Sequence, residues 1–313
     1  MIRRIPENQF AKVRLIPLMT SVQWSGNAKT LKMILFKNPA DLQYWISQQK
    51  NAGRTTGFVP TMGALHDGHI NLIDTCLSVT DLCICSIFIN PVQFNDPKDF
   101  EKYPVSIEKD VEMLSKAGTD VLFLPGEQEI YPLGKTGLET YDLGPLETIL
   151  EGRYRPGHFQ GVCQVMSRLL SIVQPDHLFM GQKDYQQCLV IKRLIDLLHL
   201  TVQFHAVPTV REPGGLAQSS RNRRLSADQR KNAVVIFRVL KEIRKGLSFD
   251  NIETVLKLAR KKLDAAHFKT DYISIARAGD LQLIENWNGK EKAVALIAAF
   301  QGDVRLIDNI LLN

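Results

Sequence analysis

The chain has 313 residues, 44% hydrophobic and 23% charged, so it can bury a sizeable core and is not disordered in composition. No apolar run approaches the ~20 residues of a membrane-spanning helix. The net charge of +6 suggests nucleic acid only until it is located, because residues 1–32 hold six basic side chains against Glu7 alone. The remainder carries 33 basic and 32 acidic side chains, a near-neutral body with no phosphate-backbone footprint. Neither nucleic acid nor a membrane is therefore expected as a partner.

Residues 1–32 read as a poorly ordered N-terminal extension, with Pro6, Pro17 and a polar stretch from Ser21 to Thr30. Their basic balance is that of a targeting peptide, but no apolar segment or small-residue cleavage site accompanies it. From Met33 the pattern alternates. A strand is expected at Met33–Phe36, a helix from Pro39 to about Ala52, and a strand at Thr56–Pro60. A helix follows from near Gly68 to about Val79. Leu82–Ile89 is a continuous apolar run, as expected of a parallel strand covered on both faces. Further helices are expected at about Ile107–Ala117, Gly161–Val173 and Tyr185–Leu198, with strands at Asp120–Leu124, His177–Met180 and Thr201–Val207. Repeated βα units imply a Rossmann-like, doubly wound parallel sheet over residues 33–207.

Pro208–Arg224 is Gly-rich and polar and reads as a flexible hinge. Beyond it, helices at Ala227–Lys245 and Asn251–Ala266 and strands at Tyr272–Ala276, Ala293–Phe300 and Arg305–Asp308 predict a smaller α+β C-terminal lid domain over 208–313. The five cysteines (Cys76, Cys83, Cys85, Cys163 and Cys188) form no CxxC pair and sit mostly in apolar runs. They read as buried, reduced thiols of a cytoplasmic protein, and no zinc cluster is offered.

Ligands of such sheets bind beyond the C-terminal strand ends, and the suspicious segments all follow strands. Met62-Gly63-Ala64-Leu65-His66-Asp67-Gly68-His69 runs from a strand into a helix N-terminus, a ready anion site. Gly63 and Gly68 have the spacing of a P-loop, but His69-Ile70 stands where that motif needs Lys-Ser/Thr. His66 and His69, three apart, share one side of the first helical turn. Asn90–Asn95 places Gln93 after the buried strand, and Gly181-Gln182-Lys183-Asp184 precedes a helix carrying Gln187. Ser219-Ser220-Arg221 sets two hydroxyls beside a cation. Arg153–Val162 is a charged Gly/Pro loop entering a helix. Taken singly, each of these segments suits a turn or cap as well as a site.

Taken together they resemble one family. VPTMGALHDGH, SIFINPVQFN, RPGHFQGV, GQKDYQQ and SSRNRRL occur in one order, as in the pantothenate synthetase (pantoate–β-alanine ligase) family, over about Met33 to the C-terminus. The HxGH element alone would indicate only the wider nucleotidyltransferase superfamily, whose other members transfer AMP to a phosphate-bearing acceptor. The resemblance implies ATP-dependent condensation of pantoate with β-alanine through a pantoyl adenylate, releasing AMP and pyrophosphate, by a homodimer. It implies that His66, His69 and Lys183 are catalytic, with His69 the proton donor. ATP would be held by the Met62–His69 loop, Gly181–Asp184, Val210, Gln218, Ser219, Ser220 and Arg221, and pantoate or β-alanine by Gln93 and Gln187. Magnesium would arrive with ATP, near Asp110. Two positions depart from the family: Gln218 replaces an apolar residue and Gln182 a glutamate, which is expected to alter ATP affinity.

Overall fold

Strands here alternate their side chains between two covered faces, and this fixes the architecture. The computed structural model describes residues 33–95, 97–248 and 251–313, so the extension expected over residues 1–32 lies outside the described residues. The first part of the chain runs β1 (Ile34–Phe36), α1 (Pro39–Asn51), β2 (Thr56–Thr61), α2 (Asp67–Val79), β3 (Leu82–Ile87), α3 (Pro97–Glu101) and α4 (Ile107–Lys116). It continues β4 (Val121–Phe123), α5 (Glu127–Ile130), α6 (Leu150–Tyr154), α7 (His158–Val173), β5 (His177–Gly181), α8 (Tyr185–Leu197) and β6 (Gln203–Val207). Phe58, Ile84, Val121 and Phe123 point to one face, where they pack with α1, α7 and α8. Their neighbours Val59, Cys83, Cys85 and Leu122 point to the other, against α2 and α4. This double burial explains why β3 reads as unbroken apolar sequence.

All six strands are parallel, in the order β1-β4-β3-β2-β5-β6. The chain winds outward from β2 through β3 and β4, then restarts at β5 on the other side of β2. The loops after β2 and β5 therefore open from one switch point, the place where such sheets bind ligands.

The second part contains α9 (Ala227–Ala233), α10 (Val235–Gly246), α11 (Ile252–Ala265) and an antiparallel sheet of β7 (Lys269–Arg277), β8 (Ala293–Gln301) and β9 (Val304–Leu311). One face of that sheet packs on α10 and α11 through Ile273, Ile275, Ala295 and Ile297. The other face, with Tyr272, Leu296 and Ala298, packs on Leu150, Tyr185 and Leu189 of the first part. All of this lies within one compact unit.

Several boundaries differ from expectation. Helix α7 begins at His158 rather than Gly161, because Gly157 (φ +76°) turns the chain one step earlier. The single helix expected over Ala227–Lys245 breaks at Val234. The short helices α3, α5 and α6 have too little sequence to show a period. The segment expected as a hinge, 208–224, carries several side-chain ties. Arg211 pairs bidentately with Asp308 (2.6 and 3.0 Å) and lies 3.7 Å over the Phe237 ring. Buried Asn222 donates to Glu212 and to the Ala217 carbonyl. All five cysteines are free and buried.

Candidate active site

Beyond Thr61 the loop needs left-handed backbone at Gly63 (φ +77°) and Ala64 (φ +51°) before α2 can start. A Cβ at Gly63 would meet Asp110 Oδ2 at 3.0 Å, so glycine is required both by conformation and by close approach. The turn points the N–H groups of Ala64 and Leu65 inward, where they donate to Asp110 Oδ2 (2.8 Å) and Oδ1 (2.9 Å). Ser106 Oγ donates to the same carboxylate at 3.0 Å. Asp110 is fully buried, with both oxygens engaged. Asp110, expected beside magnesium, lies under the loop, where its carboxylate pegs the turn in place, and is not part of the cavity wall.

His66 caps α2, its Nδ1 accepting from Gly68 N–H at 3.1 Å, and His69 Nδ1 accepts from His66 N–H at 3.3 Å. A backbone N–H can only donate, so both Nδ1 atoms are bare and both rings carry their proton on Nε2. The imidazole of His66 lies so close over Gly68 that a Cβ there would sit 2.8 Å from it. That contact is the physical reason for glycine within HxGH. The two rings stand 4.1 Å apart. Burial, then Lys183 and Arg223, hold the His66 pKa down at about 4; burial and then His66 itself hold His69 well below the usual histidine range. Both rings are neutral at pH 7.

A cavity of about 220 Å³ lies over this pair. Its wall includes Met62, His66, Gly68, His69, Gln93, Gly181, Lys183, Asp184, Gln187, Val210, Gln218 and Ser219–Arg221. The sequence-expected residues are therefore brought together, with a few exceptions. Gly63, Ala64 and Leu65 are buried behind the loop and Asp67 is exposed at the helix start. Gln182 contributes its backbone: its carbonyl and that of Lys183 accept from Asn309 Nδ2 (3.0 and 2.9 Å), fixing the Lys183 turn from β9. Lys183 Nζ sits 3.3 Å from Asp184. Gln218 reaches across the mouth to Asp67 (3.2 Å). Ser219 accepts from Arg221 N–H, Ser220 is buried against the Tyr103 hydroxyl, and Arg221 pairs with Asp99 at 2.7 Å.

Gln93 is held by a buried network that sequence reading missed. Asn90 Nδ2 donates to Gln93 Oε1 (3.2 Å) and to the Gly161 carbonyl (3.0 Å), and its Oδ1 accepts from the Tyr131 hydroxyl (2.8 Å). Gly161 has no room for a Cβ, which would lie 2.5 Å from the Val92 carbonyl oxygen. His158 donates from Nδ1 to the Gln93 carbonyl (2.8 Å) while its Nε2 accepts from Arg155 (2.9 Å). Burial and Arg155 lower its pKa to about 3, so this ring is neutral too.

Three neutral histidines give a pH signature. Each has a folded pKa below the ordinary value of ~6.5, so unfolding takes up protons below that pH. Their contribution to stability is complete above about pH 6.5 and is lost as pH falls toward about 4. The melting temperature should fall steadily from pH 6.5 to 5, where ordinary carboxylates stay ionised, and a His66→Gln/His158→Asn double variant should flatten that slope. An equally steep slope in the double variant would contradict the assignment.

A helix start bearing two neutral imidazoles, at the switch point of a parallel sheet and lining one cavity with Lys183, defines a nucleotide-handling enzyme. A family model described as pantoate-beta-alanine ligase matches residues 34–311. A pantothenate synthetase of Porphyromonas gingivalis is 42% identical over 279 residues, covering 89% of this chain and 99% of that one. The relative from Leptospira biflexa is 41% identical over 90% of this chain and 99% of its own. Among solved structures, pantothenate synthetase from Thermus thermophilus superposes with a TM-score of 0.82 at 38% identity, covering 90% and 99% of the two chains. A pantoate-beta-alanine ligase from Francisella tularensis, complexed with beta-gamma ATP and beta-alanine, gives 0.73 at 36% identity over 90% and 98%. The chain belongs to the pantoate–β-alanine ligase family.

Proposed function

We propose that the chain condenses pantoate with β-alanine at the expense of ATP, yielding pantothenate, AMP and pyrophosphate. One observation carries this beyond nucleotide binding: two amide side chains, Gln93 and Gln187, line the same cavity as the histidine pair and Lys183. Amides of that kind hold the hydroxyl and carboxylate oxygens of a small polar acid, and they reject analogues that leave them unpaired. A carboxylate held there attacks the ATP α-phosphorus. An O–P bond forms, the bond to pyrophosphate breaks, and an acyl adenylate results. The amine then attacks the acyl carbon; the C–N bond forms as AMP leaves with the C–O electron pair, and the amine proton passes to solvent.

His66 and His69 serve the first step through their Nε2–H groups, donating to phosphate oxygens as negative charge builds. A neutral imidazole supplies a hydrogen bond rather than a proton, since giving up its only N–H proton would leave an imidazolate. We therefore assign His69 as a hydrogen-bond donor in place of the proton donor expected from resemblance. Lys183 and Arg221 supply cationic donors for the triphosphate, with the hydroxyls of Ser219 and Ser220, and Val210 with Pro208 and Thr209 offers the wall for adenine. Among the described residues no group of three His, Cys, Asp or Glu side chains is placed to hold a metal. Magnesium on this reading comes with the nucleotide, and no step is routed through it. The same reading takes residues 208–313 as a domain that closes over the nucleotide. It also takes the protein as a cytoplasmic homodimer, a reading that the free buried thiols and the exposed Ile34 and Leu35 of edge strand β1 support.

Purified protein with pantoate, β-alanine and Mg-ATP should form pantothenate, AMP and pyrophosphate in equal amounts. AMP transfer to a phosphate-bearing acceptor, with no pantothenate formed, would replace this reading by that of another nucleotidyltransferase.

A further inference from the structure

On the ligase reading, the second substrate is a short zwitterion that must bring its amine to the acyl carbon with a carboxylate at the far end. A second cavity, of about 730 Å³, adjoins the first and shares Arg155, Lys183, Asp184, Ser219 and Arg221 with it. These five side chains form the wall common to both. Two of the three cations in that wall are already met by carboxylates: Lys183 by Asp184 at 3.3 Å and Arg221 by Asp99 at 2.7 Å.

Arg155 differs. Among the described residues its guanidinium donates only to neutral groups, His158 Nε2 at 2.9 Å and Asn95 Oδ1 at 3.5 Å. The nearby carboxylate of Glu151 is taken up by Arg305, at 2.8 Å on each oxygen, and by the Tyr272 hydroxyl. Burial and then Arg221 pull the Arg155 pKa down to about 10, against the opposing pull of Glu151 and Asp99, neither of which bonds to its guanidinium. Through His158 the same residue is tied to the Gln93 carbonyl, so it stands on the acid-binding side of the cavity.

We propose that Arg155 is the subsite for the carboxylate of the amine substrate. A small ω-amino acid enters through the larger cavity, leaves its carboxylate on the planar guanidinium fork and presents its amine to the acyl adenylate.

The test compares β-alanine with two amines that lack the carboxylate, 3-aminopropanol and β-alaninamide. The wild-type chain should prefer β-alanine by roughly 10- to 100-fold in kcat/KM, the scale of one charge-assisted pair. In Arg155→Gln the KM for β-alanine should rise by a similar factor while the neutral amines change little, so the preference collapses. Pantoate-dependent pyrophosphate exchange, measured without any amine, should fall far less than amide formation. A preference that survives in Arg155→Gln overturns the proposal. So does exchange that falls as much as the overall reaction, which would put Arg155 on the phosphates. If the glutamine variant melts early, Arg155→Lys replaces it: charge without the fork should cut the preference several-fold, and an unchanged preference is again contrary. Absence of exchange in the wild-type chain would instead remove the ligase reading itself.

Discussion

Replacing His69 with alanine is expected to lower the turnover of pantothenate formation by roughly 10²-fold or more, the scale of losing one donor aimed at developing charge. The ring is neutral, its Nδ1 is occupied by His66 N–H, and only its Nε2–H is left to act. Because that hydrogen bond strengthens as charge moves onto the phosphate, the loss should fall on kcat more than on the KM for ATP. His69→Gln, which keeps an N–H donor, should recover part of the rate. Near-normal turnover in His69→Ala, with folding confirmed by circular dichroism, would reduce His69 to a helix cap.

Asp110→Ala is expected to have the second large effect, although Asp110 does not line the cavity. Its removal leaves the Ala64 and Leu65 N–H groups buried and unpaired, together with the Ser106 hydroxyl. Leaving such groups unsatisfied costs on the order of 2–4 kcal/mol. For a chain of this size that lowers Tm by roughly 5–10 °C. The left-handed turn at Gly63 and Ala64 loses its fixing point, so His66 and His69 lose their register. Adenylation should therefore fall by roughly 10-fold or more in protein that is still folded. Asp110→Asn keeps only one acceptor and should lie between alanine and wild type. A stable Asp110→Ala variant with normal activity would show that the loop holds its shape unaided.

How far the sequence could be read follows from the range of the interactions. The covered strands announced themselves because burial on both faces forces consecutive apolar residues, as in Leu82–Ile87. The HxGH loop was legible because its glycines, histidines and helix start lie within a few residues. What stayed hidden depends on distant parts of the chain. Asp110 acts on backbone more than forty positions away, which no local pattern could reveal. Asn309 fixes the Lys183 turn from the last strand, one position beyond the strand expected at Arg305–Asp308. Arg155 and His158 lay in a noted motif, but their link to Gln93 exists only once α7 packs against the Asn90–Gln93 turn. The 208–224 segment reads as a hinge because glycine and polar residues dominate it; its ties, Arg211–Asp308 and Asn222–Glu212, bridge to β9 or fold back locally and leave no local pattern.

On the proposed function, a carboxylate is activated as an adenylate in the cavity shared by the histidine pair and the two glutamines. Exchange of labelled pyrophosphate into ATP isolates that step. That exchange should require pantoate, proceed without β-alanine and be lost in His69→Ala. Exchange independent of pantoate, or none in protein that still forms pantothenate, would contradict it.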